Sequence, residues 1–292
     1  DIYVSALFQA KSERYPSLSN PDDPLELLIK AAEGSGLEVH AWFCVTHINP
    51  AMLADIVPGV ELIMRGGEPG KGKVDVHRKE YRDFIVSLIE EVATNYEVDG
   101  VLLDYIRSMG TCYCDDCRRE FRAAFGKPIE EATDDDLEEW HARAVWDIVE
   151  RASKAVKAVK PDVPITMAAV NRNSGVTQGQ HPEVWLERGW VDIVSPMDYT
   201  LDPLELHQNE RRWQKILGEN ADHLVTSLCM YTRDGGNRRV RDPEILREQI
   251  AEIRRLGISG YNLFDSNFLQ EEIIRLLREE MNPEEAVPHF RR

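Results

Sequence analysis

No stretch of this 292-residue sequence approaches the roughly 18 consecutive apolar residues that a membrane-spanning helix needs. Positive charge is also scarce: 35 Lys and Arg stand against 52 Asp and Glu, a formal net charge of −17. That excess of acid opposes non-specific binding to nucleic acid and to anionic membrane surfaces, so neither is expected as a partner. Cysteine is sparse as well. Five residues, three of them in one cluster, are too few for a disulfide scaffold. The chain starts at Asp1 without a signal peptide, which fits a mature secreted product or a trimmed chain. No glycine-rich turn follows the first apolar run, where Gln9-Ala10-Lys11-Ser12 stands instead. This counts against a dinucleotide-binding doubly wound sheet.

What is present is an alternation of short apolar runs and amphipathic segments. The runs at 2–8, 39–45, 99–105, 164–170, 191–199, 223–231 and 259–264 read as strands. A third strand, between the second and fourth, has two candidates, 60–64 and 73–76. Helices are expected from Pro24 behind an Asp23 cap, over the Tyr81, Phe84, Ile85, Leu88, Val92 period, from Thr133 to Lys160, around 182–189, over 204–217, from Asp242-Pro243 to Gly257, and over 269–280. The segment 281–292 reads as a surface strap.

Continuous apolar runs, rather than alternating ones, imply strands buried on both faces of a parallel sheet. Eight strand–helix repeats without a change in composition then favour one domain over 1–292, a closed (β/α)8 TIM barrel. A cysteine-bearing insertion follows strand 4 at about 108–130.

Barrels of this type carry their sites at the C-terminal strand ends. The polar residues expected there are Gln9, His40, Trp42, His47, Asp104, Tyr105, Arg107, Asn171, Arg172, Asn173, Asp198, Tyr199, Tyr231, Asn262 and Asp265. No lysine lies among them, which speaks against Schiff-base chemistry. Carboxylates beside aromatic rings suit sugar chemistry, because glycoside hydrolysis uses two carboxyl groups and ring faces stack on the pyranose. Asp104 follows the apolar run Val101-Leu102-Leu103 directly and is the leading carboxylate, as nucleophile or as base. Asp198 is the candidate acid/base, with a hydrogen bond to the sixth helix as its structural alternative. Its strand parity opposes that of Met197 unless the strand has already ended. His40, Trp42, Arg107, Asn171, Tyr199, Tyr231 and Asp265 are expected to line the sugar site. Such catalysis requires no cofactor.

Cys112, Cys114 and Cys117 form a C-x-C-x-x-C cluster. The spacing fits three corners of a structural zinc, with Cys44, Cys229 or a nearby His or Asp as the fourth. It also fits a disulfide or free thiols. Arg233-Asp-Gly-Gly-Asn-Arg-Arg239 reads as a flexible loop with a solvated basic face more readily than as a phosphate cradle. His77-Arg78-Lys79 reads as surface charge, and the acids at 134–136 as a helix N-terminus that needs no metal.

The stretches DPLELLIKAAEGSGLEVHAWF, VDGVLLDYIR, VDIVSPMDYT and LGISGYNLFDSNFL, spread in order over nearly the whole chain, resemble the glycosyl-hydrolase-like TIM-barrel proteins. That group includes bacterial enzymes acting on peptidoglycan glycan strands and on exopolysaccharides. The resemblance implies a TIM barrel, a poly- or oligosaccharide substrate, Asp104 as catalytic carboxylate, and a secreted or periplasmic location. The cysteine segment is similar to one in some zinc-bearing galactosidases. The sequence departs from the group in its 65–84 loop and in lacking a strand-7 glutamate. It also lacks the D-x-x-D-x-D-x-E pattern of chitinases. The two competing readings are a non-catalytic carbohydrate-binding barrel and a metal-dependent isomerase or hydrolase with His40, Asp104 and Asp265 as ligands.

Overall fold

The structure is a computed structural model that describes residues 2–5, 9–171 and 178–284. Two compact units emerge, one built from 1–168 with 176–191, the other from 169–175 with 192–292.

The first unit runs β1 (Ile2–Ser5), α1 (Pro24–Ala32), β2 (Val39–Cys44), β3 (Glu61–Ile63), β4 (Pro69–Val74), α2 (Lys79–Asn95), β5 (Gly100–Asp104), α3 (Asp115–Phe125), α4 (Asp134–Val159), β6 (Ile165–Ala169) and α5 (Pro182–Glu187). Strands β1, β2, β5 and β6 pair in parallel in that order. The expected burial on both faces is met fully on one face only: Ala41, Phe43, Val101, Leu103, Ile165 and Met167, which the register places together, are all sealed from solvent, while Trp42 and Leu102 on the other face are half-buried. The part of the expected first strand at 6–8 lies outside the described residues.

Two helices cover this sheet with the periodicity the sequence carries. Tyr81, Phe84, Ile85, Leu88 and Val92 are all buried on α2. Helix α4 opens on a reciprocal capping box between Thr133 and Asp136, which explains the acids there without a metal. Arg82 pairs with Asp147 at 2.7 Å and Arg151 with Asp83 at 2.8 Å, tying α2 to α4.

The eight-stranded count does not survive. Strand β2 pairs directly with β5, from His40 opposite Gly100 to Cys44 opposite Asp104, so no strand stands between them. Both candidates for the third strand are used instead in an antiparallel pair, β3 with β4. The described residues form an α/β fold with parallel strands but no closed barrel. The expected insertion holds α3 and a single 3-10 turn at 129–131.

The second unit runs β7 (Ile193–Pro196), α6 (Pro203–Leu217), β8 (Val225–Cys229), β9 (Tyr231–Asp234), β10 (Asn237–Val240), α7 (Pro243–Arg255), β11 (Gly260–Phe264) and α8 (Glu271–Arg275), the last prolonged by a π-helical turn to Met281. Strand β8 pairs in parallel with β11 and bridges the β7 segment through Val194–Leu224 and Met197–Ser227. Asp242 caps α7 as its position before Pro243 predicts, and Asp202 caps α6 in the same way, so that helix begins at Pro203 rather than at Leu204.

The expected flexible loop at 233–239 is an antiparallel hairpin. Gly235 and Gly236 both take positive φ, +56° and +90°, which a two-residue turn between right-twisted strands demands. Among the described residues no helix is long and apolar enough to cross a membrane. The expected strap lies outside them from residue 285 onward.

Candidate active site

Asp104 closes β5 and is 7% exposed. Its Oδ2 accepts the indole Nε1–H of Trp42 at 3.2 Å, and its Oδ1 accepts the backbone N–H of Tyr105 at 2.6 Å. Burial pushes its carboxyl above the usual carboxylate range. The Tyr105 amide, the Arg107 guanidinium, the Trp42 indole and His47 pull in the opposite sense. Cys44, opposite Asp104 across the ladder, is pushed up to about 12 by burial and by this neighbouring charge, so it is a neutral core thiol.

The chain turns sharply after Asp104. Tyr105 holds φ +50°, a left-handed conformation that its side-chain type seldom takes. The turn is pinned by Thr46, whose hydroxyl donates to the carbonyls of Tyr105 at 2.5 Å and Arg107 at 2.9 Å. As a result the Tyr105 ring stacks on His47, with centroids 4.6 Å apart and planes 19° off parallel, and the Arg107 guanidinium lies 4.7 Å from that ring centroid. Trp42, Asp104, Tyr105, Arg107 and His47 thus converge at one strand end. His47 was visible there in the sequence without being given a role.

His40 does not join them. It sits opposite Gly100, at the other end of the same strand pair, four residues back from Cys44. At about 3.3 Å per residue that is roughly 13 Å from the Asp104 end. Its ring is 1% exposed and is packed where a Cβ on residue 100 would stand only 2.0 Å from Nδ1.

In the second unit β7 ends at Pro196, so the alternation that opposed Met197 and Asp198 no longer applies. Asp198 is 1% exposed, and its Oδ2 accepts the Asn209 side-chain amide of α6 at 3.0 Å. The helix bond weighed as its structural alternative is therefore made. Burial pushes the Asp198 carboxyl up to about 6, while Asn209 and the Thr200 backbone hold it down and Glu205 adds a small upward push.

Beside it on α6 is Glu210, fully buried, with neither carboxylate oxygen hydrogen-bonded. Burial and the Asp198 charge push it up to about 8, against a lowering influence of the neighbouring Thr226. The sequence reading missed Glu210. The signal was there: it shares the Leu206, Trp213 and Leu217 face of α6, an acid on an apolar stripe.

A separate cluster in this unit gathers the remaining candidates. Tyr199 stacks on Phe264 at 5.8 Å, and Tyr231 meets Phe264 and Phe268 at 6.4 and 5.1 Å. The Arg238 guanidinium lies 4.5 Å from the Tyr231 ring centroid and 3.6 Å from the carboxylate of Asp265, which also caps the turn at 266–268. Asn171 is partly buried just after β6; Arg172 and Asn173 lie outside the described residues.

The three clustered cysteines come together as the spacing predicts, and the side chain that completes them is Asp75. One ligand atom from each of Asp75, Cys112, Cys114 and Cys117 lies within 4.8 Å of the other three. Cys44 and Cys229 lie in strands outside this group, and all five cysteines are free thiols. His77 is not surface charge. It is 6% exposed, stacked on Trp140 at 4.4 Å and bonded to His141 at 3.1 Å, and burial keeps both rings neutral by pushing their pKa values down.

The fold thus carries parallel strands, one of them ending in a buried carboxylate flanked by aromatic rings and a guanidinium. The fold matches the glycoside hydrolase domain of PgaB (BpsB) from Bordetella bronchiseptica with a TM-score of 0.73 at 18% identity, covering 97% of this chain and 89% of that one. It also matches the β-galactosidase from Bacillus circulans sp. alkalophilus with a TM-score of 0.70 at 14% identity, over 90% of this chain and 45% of that one.

The chain belongs to the glycosyl hydrolase-like 10 family, which matches residues 1–232. It is 24% identical to the glycosyl hydrolase DigH of Escherichia coli K12 over 85% of its own length and 65% of that protein's. It is 26% identical to the glycosyl hydrolase YngK of Bacillus subtilis over 68% of its own length and 44% of that protein's. The chain thus spans just under two thirds of one relative and less than half of the other.

Proposed function

We propose that this chain is a glycoside hydrolase acting on a poly- or oligosaccharide, with Asp104 as its leading catalytic carboxylate. The observation that carries this reading is the convergence on Asp104 of the Trp42 indole, the Tyr105–His47 stack and Arg107. A carboxylate held by two N–H donors is fixed in place for attack or for proton abstraction. The adjacent rings and guanidinium are the groups that bind a pyranose face and its hydroxyls.

Asp198 is proposed as the acid/base. A carboxyl raised to about 6 keeps its proton in mildly acidic solution, where an ordinary aspartate has lost it, as a general acid must, and Asn209 fixes its orientation. Tyr199, Tyr231 and Asp265 are proposed as sugar contacts. The family assignment and the names of the relatives support hydrolysis of a glycosidic bond as the reaction class.

A metal-dependent reaction through His40 and Asp104 is disfavoured, because the two stand at opposite ends of one strand pair. A purely binding role is separated by experiment. Wild type, Asp104→Asn and Asp198→Asn are assayed on peptidoglycan strands, exopolysaccharides and aryl α- and β-glycosides. Cleavage by wild type with a loss of about 10³-fold or more in both variants is the expected result. Glycan binding without cleavage by any of the three overturns the enzyme reading.

A further inference from the structure

The cysteine cluster bears on no step of the proposed hydrolysis, yet it is the most chemically specific feature outside that site. The Cys117 thiol donates to Asp75 Oδ2 at 3.0 Å, and the Cys114 sulfur is 4.0 Å from the same oxygen. Asp75 is 1% exposed; the Arg78 charge acts on it, but Arg78 itself pairs with Asp116 at 3.6 Å and Glu80 at 3.8 Å. A buried carboxylate without a contacting cation is costly, and one aimed at three thiols is not explained by packing.

We propose that Asp75, Cys112, Cys114 and Cys117 form a closed four-coordinate zinc site, with Asp75 as the fourth ligand. The ligand atoms lie within 4.8 Å of one another. The edges of a tetrahedral zinc–thiolate site measure about 3.8 Å for zinc–sulfur bonds of about 2.3 Å, so the group needs to contract by less than about 1 Å. Binding is not a redox step: each thiol releases its proton to solvent as its sulfur bonds the metal, and the Asp75 carboxylate fills the fourth position.

Three thiolates and a carboxylate around Zn²⁺ carry a net charge of −2, and the surroundings are built to hold it. The Ile63 N–H points at the Cys112 sulfur at 3.4 Å, and the Cys117 N–H points at the Cys114 sulfur at 3.4 Å. Cys114 is itself the N-cap of α3, where the positive end of the helix dipole lies. Asp75 Oδ1 accepts the His77 backbone N–H at 3.0 Å, which leaves Oδ2 facing the sulfurs.

The site joins segments far apart in sequence. Asp75 follows β4, while the cysteines follow the Asp104–Arg107 strand end. Leu62 of β3 packs over Cys112 and Cys117 in a cluster of only a few apolar side chains. So small a cluster offers little hydrophobic stabilisation, and a bound zinc would clip the post-β5 loop to the β3–β4 pair.

The test is made on the whole chain purified without chelator and supplied with Zn²⁺. Elemental analysis is expected to find one zinc per chain. X-ray absorption at the zinc edge is expected to show three sulfurs at about 2.3 Å and one lighter ligand at about 2.0 Å. Asp75→Ala should lower zinc affinity about 10-fold or more in competition with a chromophoric chelator, and Asp75→Cys should restore it with a fourth sulfur in the shell. Asp75→Cys also decides the matter if Asp75→Ala fails to fold. Absence of stoichiometric zinc, a disulfide within the cluster, or wild-type affinity in Asp75→Ala would each overturn the proposal. None of these readouts depends on hydrolase activity.

Discussion

Trp42 reaches from β2 to donate its indole N–H to Asp104 at the end of β5, across 3.2 Å. The bond favours the charged carboxylate, so it opposes the upward push of burial. Removing the donor while keeping an aromatic ring, as Trp42→Phe does, should raise the Asp104 pKa further. A nucleophile or base works only when ionised. The acid limb of the kcat/KM profile should therefore move to higher pH in Trp42→Phe, whereas Asp104→Asn should lose about 10³-fold at every pH. An unmoved limb in Trp42→Phe would separate the bond from the chemistry.

Asp198 offers the opposite limb. A general acid must be protonated, and its carboxyl is raised to about 6, so kcat/KM should fall as pH rises above about 6. Asn209→Ala deletes the amide that favours the charged form. The basic limb should then shift upward while the acid limb stays. If both limbs stay where they are, Asp198 is a structural anchor for α6 and the second carboxylate lies elsewhere.

Gly100 faces a histidine ring. A methyl at residue 100 would stand 2.0 Å from Nδ1 and 2.6 Å from Cγ of His40, a ring that is itself 1% exposed and has nowhere to retreat. Gly100→Ala should therefore cost about 1–3 kcal/mol through overpacking. The readout is the denaturant midpoint at unchanged slope. A midpoint equal to wild type would mean that the ring has free space the structure does not show.

The elements were legible where one local rule decided them. Asp23 and Asp242 before proline marked two helix starts, and the Tyr81 to Val92 period marked the buried face of α2. Asp104 was legible because a charge following Val101-Leu102-Leu103 has to be held by partners. The third strand was not, since 60–64 and 73–76 compete for one place only if neither pairs with the other, and they do pair. Which strand stands beside β2 is set by long-range pairing that no window of sequence contains. Asp75 and Glu210 escaped for a related reason. Each is a single acid on an apolar stretch or helix stripe, and what surrounds it comes from other elements: the post-β5 cysteines for Asp75, the Asp198 charge and Thr226 for Glu210.

Glu210 makes the last prediction, and it concerns stability rather than rate. Its carboxyl is raised to about 8 in the folded chain, against an ordinary 4.5. At pH 7 the folded protein therefore holds a proton there that the unfolded chain has released. A raised acid contributes stability that is fully present below its unfolded pKa and is lost as pH climbs through its folded value. For Glu210 that window runs from about 4.5 to about 8. The corresponding window for Asp198 closes near 6. His77 and His141, held neutral by burial, act in the opposite sense and only below the ordinary histidine value of 6.5. Asp75 and Asp104, also raised by burial, act in the same sense, so the share of Glu210 between pH 6.5 and 8 is read as the difference between wild type and a variant that cannot ionise there. Wild type should lose melting temperature across that interval, and Glu210→Gln, which cannot ionise, should lose less. Equal slopes in the two proteins would place the Glu210 carboxyl in contact with water or a cation, and its buried, unbonded position on α6 would have to be redrawn.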